Sequence, residues 1–499
     1  MNSYGGKVVI SKRFLLMLTA VVAALTGVDY LFTHFLSDRS VTWAMPSRPL
    51  ALPAKSLESV ASTTAFTTYL PAVNKYNMPD YVYPFSVVMY HDVDDATGLA
   101  KMKDAGSRWV TTFLYWSDVE PAPPVGGVHT YDWAKYDAKF GNARAAGMQV
   151  FVVFVNSPGW VRESPPDGVV PPEHLPDLVN ISAAMAERYD GDGVQDAPGS
   201  MVVNDWSFYA EPDAQQYWGY NGAAFAQMIA AVSDVIHEAN PNARVLIGGI
   251  GFDWFTDDEY HNPPGPFVRR FITDTLTALN TYPGGAANYI DAFDFHYYPV
   301  TLARWPTLRE KALAIKQIMS NHGLGDLPLL VSEMGYWSAE STGSNQTRQA
   351  QYLVHFYVRG LSVGLEQLSW WTVFDQDRPT WTDGLFEGQD LSRPKPSYYA
   401  YQMLTSELGY ARFASVLNVP GAEGYQFTMA TGQTKAVVWG TNPIPTQVSF
   451  AQSCARRVEM LGNSTQIVDG GSGDLDGIVN GQIRLQVSQD QPIYVGACS

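Results

Sequence analysis

Val202-Val203-Asn204-Asp205-Trp206-Ser207-Phe208-Tyr209-Ala210-Glu211-Pro212 and Leu327-Pro328-Leu329-Leu330-Val331-Ser332-Glu333-Met334-Gly335 are the stretches that decide the fold. Each is a mostly apolar, strand-like run that ends on a carboxylate. A charge within such a run is expensive unless paired. At its downstream end the charge can sit at the mouth of a barrel, where functional groups gather. Pro212 is expected to hold Glu211 in extended backbone, and Gly335 to relieve a sharp turn after Glu333.

Outward from these two runs, short apolar segments alternate with helical patterns. Strands are expected at Phe85–Tyr90, Trp109–Tyr115, Gln149–Val155, Val202–Tyr209, Arg244–Ile250, Ile290–Phe295, Leu327–Ser332 and Gln367–Val373. Helical patterns lie between them at Thr97–Ala105, Trp133–Ala146, Leu175–Arg188, Gly222–Ala239, Phe267–Leu279, Thr307–His322 and Thr347–Gly360. Such alternation predicts a parallel sheet with crossover helices. Eight units over residues 80–408 predict a (β/α)8 barrel, with Glu211 and Glu333 after the fourth and seventh strands. The rival, a doubly wound open sheet, usually carries a Gly-rich phosphate turn, and none follows the first strand here.

From residue 409 to 499 short alternating segments are punctuated by Gly, Asn and Asp, which predicts a small antiparallel β-sandwich. The only two cysteines, Cys454 and Cys498, fall in this region. Outside the cytoplasm they can pair and tie down the last strand; the other reading is two separate buried thiols. At the other end, Lys7, Lys12 and Arg13 precede an apolar run from Phe14 to Val28, interrupted by Asp29 and resumed from Tyr30 to Leu36. Residues 1–36 therefore read as a signal peptide or membrane anchor, implying export to the cell surface or beyond, with N-terminal membrane association if uncleaved. Residues 37–79, rich in Ser, Thr, Ala and Pro, read as a flexible linker.

With 32 Lys and Arg against 49 Asp and Glu, the net charge of −17 disfavours nucleic acid and anionic membrane as partners, while leaving neutral ligands open. No metal- or nucleotide-binding motif is present, and no cofactor or metal is expected.

Two carboxylates facing each other across a barrel mouth are the equipment for cleaving a glycosidic bond; their spacing decides between retention and inversion. Several further runs accompany them. Trp116-Ser117-Asp118-Val119-Glu120-Pro121 ends the second strand, and Tyr131-Asp132-Trp133 with Asp137 and Gly147 leads to the third. Ser157-Pro158-Gly159-Trp160 follows the third strand. Tyr209-Ala210-Glu211-Pro212-Asp213 and Ser332-Glu333-Met334-Gly335 carry the carboxylates. His296-Tyr297-Tyr298 ends the sixth strand, and Trp370-Trp371 the eighth. In this order and spacing, residues 85 to about 400 resemble the clan A retaining glycoside hydrolases, which include cellulase and β-xylosidase families. The C-terminal region is similar to the accessory sandwich of several of them.

The resemblance implies that Glu211 is the acid/base and Glu333 the nucleophile acting on a carbohydrate substrate. It surrounds that substrate with Trp116, Asn156, Trp160, Ala210, His296, Tyr298, Trp370 and Trp371. Tyr298 or His296 would hydrogen-bond the nucleophile, and Trp370 or Trp371 would form a stacking floor. Each residue also has a plainer reading: Trp160, Trp370 and Trp371 as core, His296 as a structural hydrogen-bonder, and Glu120 as a structural carboxylate in a Pro-rich loop. The sequence departs from the clan's pattern where the acid/base is usually preceded by Asn, here Ala210, and where the second strand often carries Arg, here Thr111. Those departures keep open a non-catalytic glycan-binding protein on the same scaffold; a second alternative is a transglycosidase, which would use the same glutamates with a sugar in place of water as acceptor.

Overall fold

A computed structural model gives the architecture and describes residues 83–199, 201–253, 267–299, 304–376 and 380–498. All of them belong to one compact unit. Eight parallel strands form the first sheet: β1 (Phe85–Val88), β2 (Trp109–Tyr115), β3 (Gln149–Val155), β4 (Asp205–Phe208), β5 (Arg244–Leu246), β6 (Phe293–Tyr297), β7 (Leu329–Met334) and β8 (Leu368–Trp370). Their order is β5-β4-β3-β2-β1-β8-β7-β6. Parallel bridges Leu246–Ala292 and Ile250–Phe295 join β5 to β6 and bring the barrel near closure. At least one helix follows each strand, and the strands are buried on both faces, as helices outside and side chains inside require.

Helices Leu175–Arg188 and Gly222–Ala239 have the bounds their apolar periodicity predicts. The helix expected from Phe267 begins only at Phe271, because Arg270 takes a left-handed φ of 60° and stops the turn from propagating backwards. The helix Pro396–Leu408 was not anticipated. Its first residue is Pro, which fits the first helical position because its missing N–H has no partner to lose there.

Inside the barrel, polar side chains satisfy one another. Thr111 Oγ1 lies 2.7 Å from Ser369 Oγ, and Gln367 Nε2 donates to Thr111 Oγ1 (3.1 Å) and Ser86 Oγ (3.2 Å). Arg244 is held between Asp205 and Glu366, so its buried charge is paired on both sides.

Eight further strands follow: β9 (Ala411–Val416), β10 (Ala422–Met429), β11 (Thr434–Gly440), β12 (Thr446–Phe450), β13 (Cys454–Glu459), β14 (Ser464–Val468), β15 (Ile483–Val487) and β16 (Ile493–Ala497). They form an antiparallel sheet of order β14-β13-β16-β11-β10-β9 and a separate pair β12-β15. A shared core that includes Val438, Val448, Leu485 and Val495 makes them sandwich-like. Cys454 and Cys498 are joined at the paired ends of β13 and β16. The domain is fastened to the barrel by His355 stacked on Trp439 (4.2 Å), by Arg359 bonded twice to Glu423, and by Glu407 paired with Lys435 and Arg456.

The expected membrane association is corrected. Among the described residues no helix is long and apolar enough to cross a membrane. A span needs about 20 consecutive apolar residues. Gly222–Ala239, with 18 residues, instead buries one face, including Phe225, Ile229, Val232 and Ile236. The apolar run 14–36 and the linker 37–79, on which the N-terminal expectations rest, lie outside the described residues.

Candidate active site

A bulge in β7 brings the first carboxylate into the barrel. Successive strand residues normally point to opposite faces. Here the register of β7 slips against both neighbours, so that Val331 pairs with Phe295 but Glu333 with His296. Ser332 and Glu333 consequently both reach inward, as a bulge permits. Ser332 Oγ donates to Asp294 Oδ2 at 2.7 Å, and Glu333 Oε2 accepts from Tyr298 Oη at 2.9 Å.

Glu211 arrives from β4 through a contorted backbone, not the extended one that Pro212 suggested. Tyr209 and Glu211 have φ of 63° and 50°. Left-handed backbone is strained for both residue types. It is held by tertiary hydrogen bonds: Tyr209 N to Phe154 O (2.7 Å), Glu211 N to Gly249 O (3.0 Å) and Ala214 N to Glu211 O (2.9 Å). These override the local preference and turn the Glu211 side chain toward β6. Gly249 must be Gly there, since its φ is 41° and a Cβ would fall 2.4 Å from His296 Nε2.

His296 joins the two carboxylates. Its Nδ1 lies 3.1 Å from Glu211 Oε1 and 3.6 Å from Glu333 Oε2. The two oxygens are therefore no further apart than those two distances laid end to end. All three side chains are buried. Burial lowers the His296 pKa, opposed by the charges of Glu333 and Asp294, so the ring is neutral at pH 7. Burial pushes Glu333 up to about 7, with His296 opposing the rise and Glu211 adding to it. Glu211 is held well above the ordinary carboxylate range by burial and then by Asp213, with Lys311 opposing. Its Oε2 is buried without a hydrogen-bond partner. The pair thus divides into one carboxyl that stays protonated and one that ionises near neutrality, with a donor already in place on the latter.

Of the other residues singled out from sequence, Trp371 (9% exposed) packs on Tyr90 and Phe113 with ring centroids 5.4 and 6.1 Å away, beside the end of β1. The Trp371–Thr372 peptide is cis. Ala210 and Asn156 are half-buried at the ends of β4 and β3, and Asp167 accepts the Asn156 N–H at 2.6 Å. Trp116 and Trp370 are fully buried. The first donates its indole N–H to Glu120 Oε2 (2.9 Å), and the second to Asp383 O (2.9 Å). Trp160 is half-buried and donates to Glu120 O at 3.0 Å. Glu120 also meets His129 Nδ1 at 2.6 Å, which makes it the anchor of a loop. Thr111 is committed to Ser369 and Ser86 inside the barrel, and Glu333 takes its donor from Tyr298 instead.

Three neighbours of the site were not picked out from sequence. Asp294 accepts from Ser207, Ser332 and Gly249 N beneath His296. Asp213 accepts the backbone N–H groups of Gly251, Phe252 and Asp253, which shapes the chain after β5. Lys311 is fully buried and donates to Gly251 O (2.6 Å) and His296 O (2.8 Å); burial lowers its pKa to about 8, opposed by Asp213, Asp253 and Glu211. A signal for Lys311 existed: it falls on the helical stripe Leu308, Ala312, Ile315, Met319, where an apolar residue is expected. Apart from the site, Asp190, Asp192 and Asp196 gather oxygens within 4.8 Å of one another, in the loop that follows helix Leu175–Arg188. That loop is at the end of the barrel opposite the Glu211 mouth.

No protein-family model and no curated protein matches this sequence. Solved structures do match in fold. A family 39 glycoside hydrolase from Bacteroides cellulosilyticus superposes with a TM-score of 0.61 at 19% identity, over 84% of this chain and 81% of that one. A GH30 endoxylanase from Clostridium papyrosolvens gives 0.57 at 12% identity, over 84% and 97%. A GH39 β-xylosidase from Caulobacter crescentus gives 0.57 at 15% identity, over 84% and 97%. These likenesses show the fold, a near-closed parallel barrel with a C-terminal sandwich-like domain, which this chain shares with those glycosidase structures.

Proposed function

We propose that this protein hydrolyses O-glycosidic bonds of an oligo- or polysaccharide with retention of configuration, Glu211 acting as acid/base and Glu333 as nucleophile. The observation that carries the reading is the single His296 nitrogen within 3.1 and 3.6 Å of the two carboxylates. Retaining enzymes hold their carboxyls about 5–5.5 Å apart, and inverting ones about 6.5–9.5 Å, to admit a water. A pair bridged by one ring nitrogen admits the narrower spacing and leaves out most of the wider range. In the first step Glu211 gives its proton to the leaving oxygen while Glu333 attacks the anomeric carbon, forming a glycosyl ester. In the second, Glu211 takes a proton from water, which displaces Glu333 and restores both groups. The raised Glu211 pKa and the Tyr298 donor on Glu333 suit those two roles.

Two of the similar structures are described as a β-xylosidase and an endoxylanase, so aryl xylosides and xylan belong first in a substrate panel. The positively flanked apolar N-terminus and the Cys454–Cys498 disulfide support action outside the cytoplasm. The test is product release by the full chain from 4-nitrophenyl glycosides and polysaccharides, with Glu333→Gln and Glu211→Gln alongside and the product anomer followed by NMR. Turnover abolished in Glu333→Gln, with retained configuration, is expected. Undiminished turnover in Glu333→Gln, or an inverted product, refutes the mechanism. A second reading, glycan binding without turnover, draws on Ala210, which offers no side-chain hydrogen bond beside Glu211; it predicts saturable binding and no release.

A further inference from the structure

We infer that Asp383 is a specificity-determining residue that binds a ring hydroxyl of the sugar held at Glu333; the inference rests on the glycosidase reading and extends it to substrate recognition. Asp383 belongs to the segment between β8 and helix Pro396–Leu408 and is 7% exposed. Its Oδ1 is buried and has no hydrogen-bond partner. The position of that oxygen is fixed by what surrounds Gly335, two residues after Glu333. A Cβ at Gly335 would lie 2.9 Å from Asp383 Oδ1, 3.0 Å from Tyr298 Cε1 and 3.1 Å from Trp371 O. Asp383 thus stands beside the tyrosine that donates to Glu333.

The flanking residues are all held for another purpose. Thr382 O accepts from Lys395 Nζ (3.0 Å) and Gln349 Nε2 (2.9 Å), and Gly384 N donates to Asp375 Oδ1 (3.1 Å). Trp370 Nε1 holds the Asp383 carbonyl. Lys395, the cation that acts most on Asp383, is itself paired with Asp375 at 2.5 Å. The backbone on both sides is therefore anchored, while the Asp383 side chain is left with an unused acceptor. A buried acceptor without a partner is costly, and buried polar groups in folded proteins are otherwise nearly always satisfied. Burial also raises this carboxyl well above its usual range, opposed by Lys395. A carboxyl oxygen left without a partner accepts a hydrogen bond from a hydroxyl, which a sugar ring supplies.

The experiment is a substitution-by-substrate cycle on the full chain. Asp383→Ala and Asp383→Asn are assayed on the 4-nitrophenyl glycoside that the unaltered protein cleaves best and on its monodeoxy analogues. Thermal unfolding of each variant controls for folding, and the isosteric Asn variant covers misfolding of the Ala variant. The expected result is a loss of about 10- to 100-fold in kcat/KM for Asp383→Ala on the parent glycoside, shrinking to less than about threefold on one analogue, the one lacking the contacted hydroxyl. An equal loss on every analogue, or no loss on any, overturns the assignment while leaving the glycosidase reading intact. No turnover by the unaltered protein on any glycoside sinks that reading, and this inference with it.

Discussion

Tyr298→Phe is the perturbation whose consequence follows most directly from the geometry. The hydroxyl donates to Glu333 Oε2 at 2.9 Å, and both side chains are buried. Phe keeps the ring against Gly335 and removes only the donor. A hydrogen bond given to the ionised carboxylate favours ionisation, so its loss raises the Glu333 pKa from the value of about 7 held in the unaltered protein. Hydrogen bonds to charged groups are worth about 1.5–3 kcal/mol, and about 1.4 kcal/mol corresponds to one pKa unit, so the expected rise is about one to two units. The nucleophile must be ionised to attack. The acidic limb of kcat/KM therefore moves to higher pH, and activity at pH 6 falls about 10- to 100-fold further than activity at the new optimum. The assay is kcat/KM on an activated aryl glycoside from pH 4 to 9 for both proteins. A uniform loss with the acidic limb unmoved would refute the claim that Tyr298 stabilises a charged Glu333.

Two further outcomes concern Lys311 and the disulfide. Lys311 has a folded pKa lowered to about 8 from the ordinary lysine value of 10.5, so between these values the unfolded chain binds the extra proton and stability rises with pH. Compared with Lys311→Met, the unaltered protein should gain on the order of 3 kcal/mol over that interval, read by urea unfolding at pH 7.5 and 10.5; parallel pH dependence in the two proteins would contradict a buried ammonium. Replacing Cys454 and Cys498 together by Ser opens a closure spanning 44 residues. That change should lower unfolding free energy by about 3–4 kcal/mol in the loop-entropy picture, with kcat unchanged because the bond ties strands of the sandwich; a matching loss of kcat would show that the domain supports the barrel mouth.

Much of the architecture was written in periodicity. All eight barrel strands overlap the apolar runs that predicted them, because a parallel strand buried on both faces must be apolar almost throughout. The helix Pro396–Leu408 and the strands β9 and β14 were not legible, for different reasons. The helix carries Tyr398, Tyr399 and Tyr401, aromatic residues that favour strand as readily as helix. The residues of β9 and β14 are mostly exposed, so no buried face imposes alternation on them. Trp116 and Trp370 had the composition of a sugar platform, yet each turns its indole N–H to a buried acceptor. Composition does not tell a ring at a mouth from a ring in a core.

The sequence by itself determined that Glu211 and Glu333 end two strands of one parallel sheet. A charge at the end of an apolar run has few other places to go. Only the tertiary structure decided how the two meet. Glu333 reaches inward because the register of β7 slips against β6 and β8, and a bulge depends on the partner strands. Glu211 takes a left-handed backbone against the preference of a residue before proline, because the N–H groups of Tyr209 and Glu211 donate to the carbonyls of Phe154 in β3 and Gly249 after β5 and hold it there. His296 between them, Lys311 behind them and Asp383 beside Tyr298 come from separate parts of the chain. Their chemistry depends on distances of a few ångströms within a desolvated interior, and no local pattern in the sequence encodes those distances.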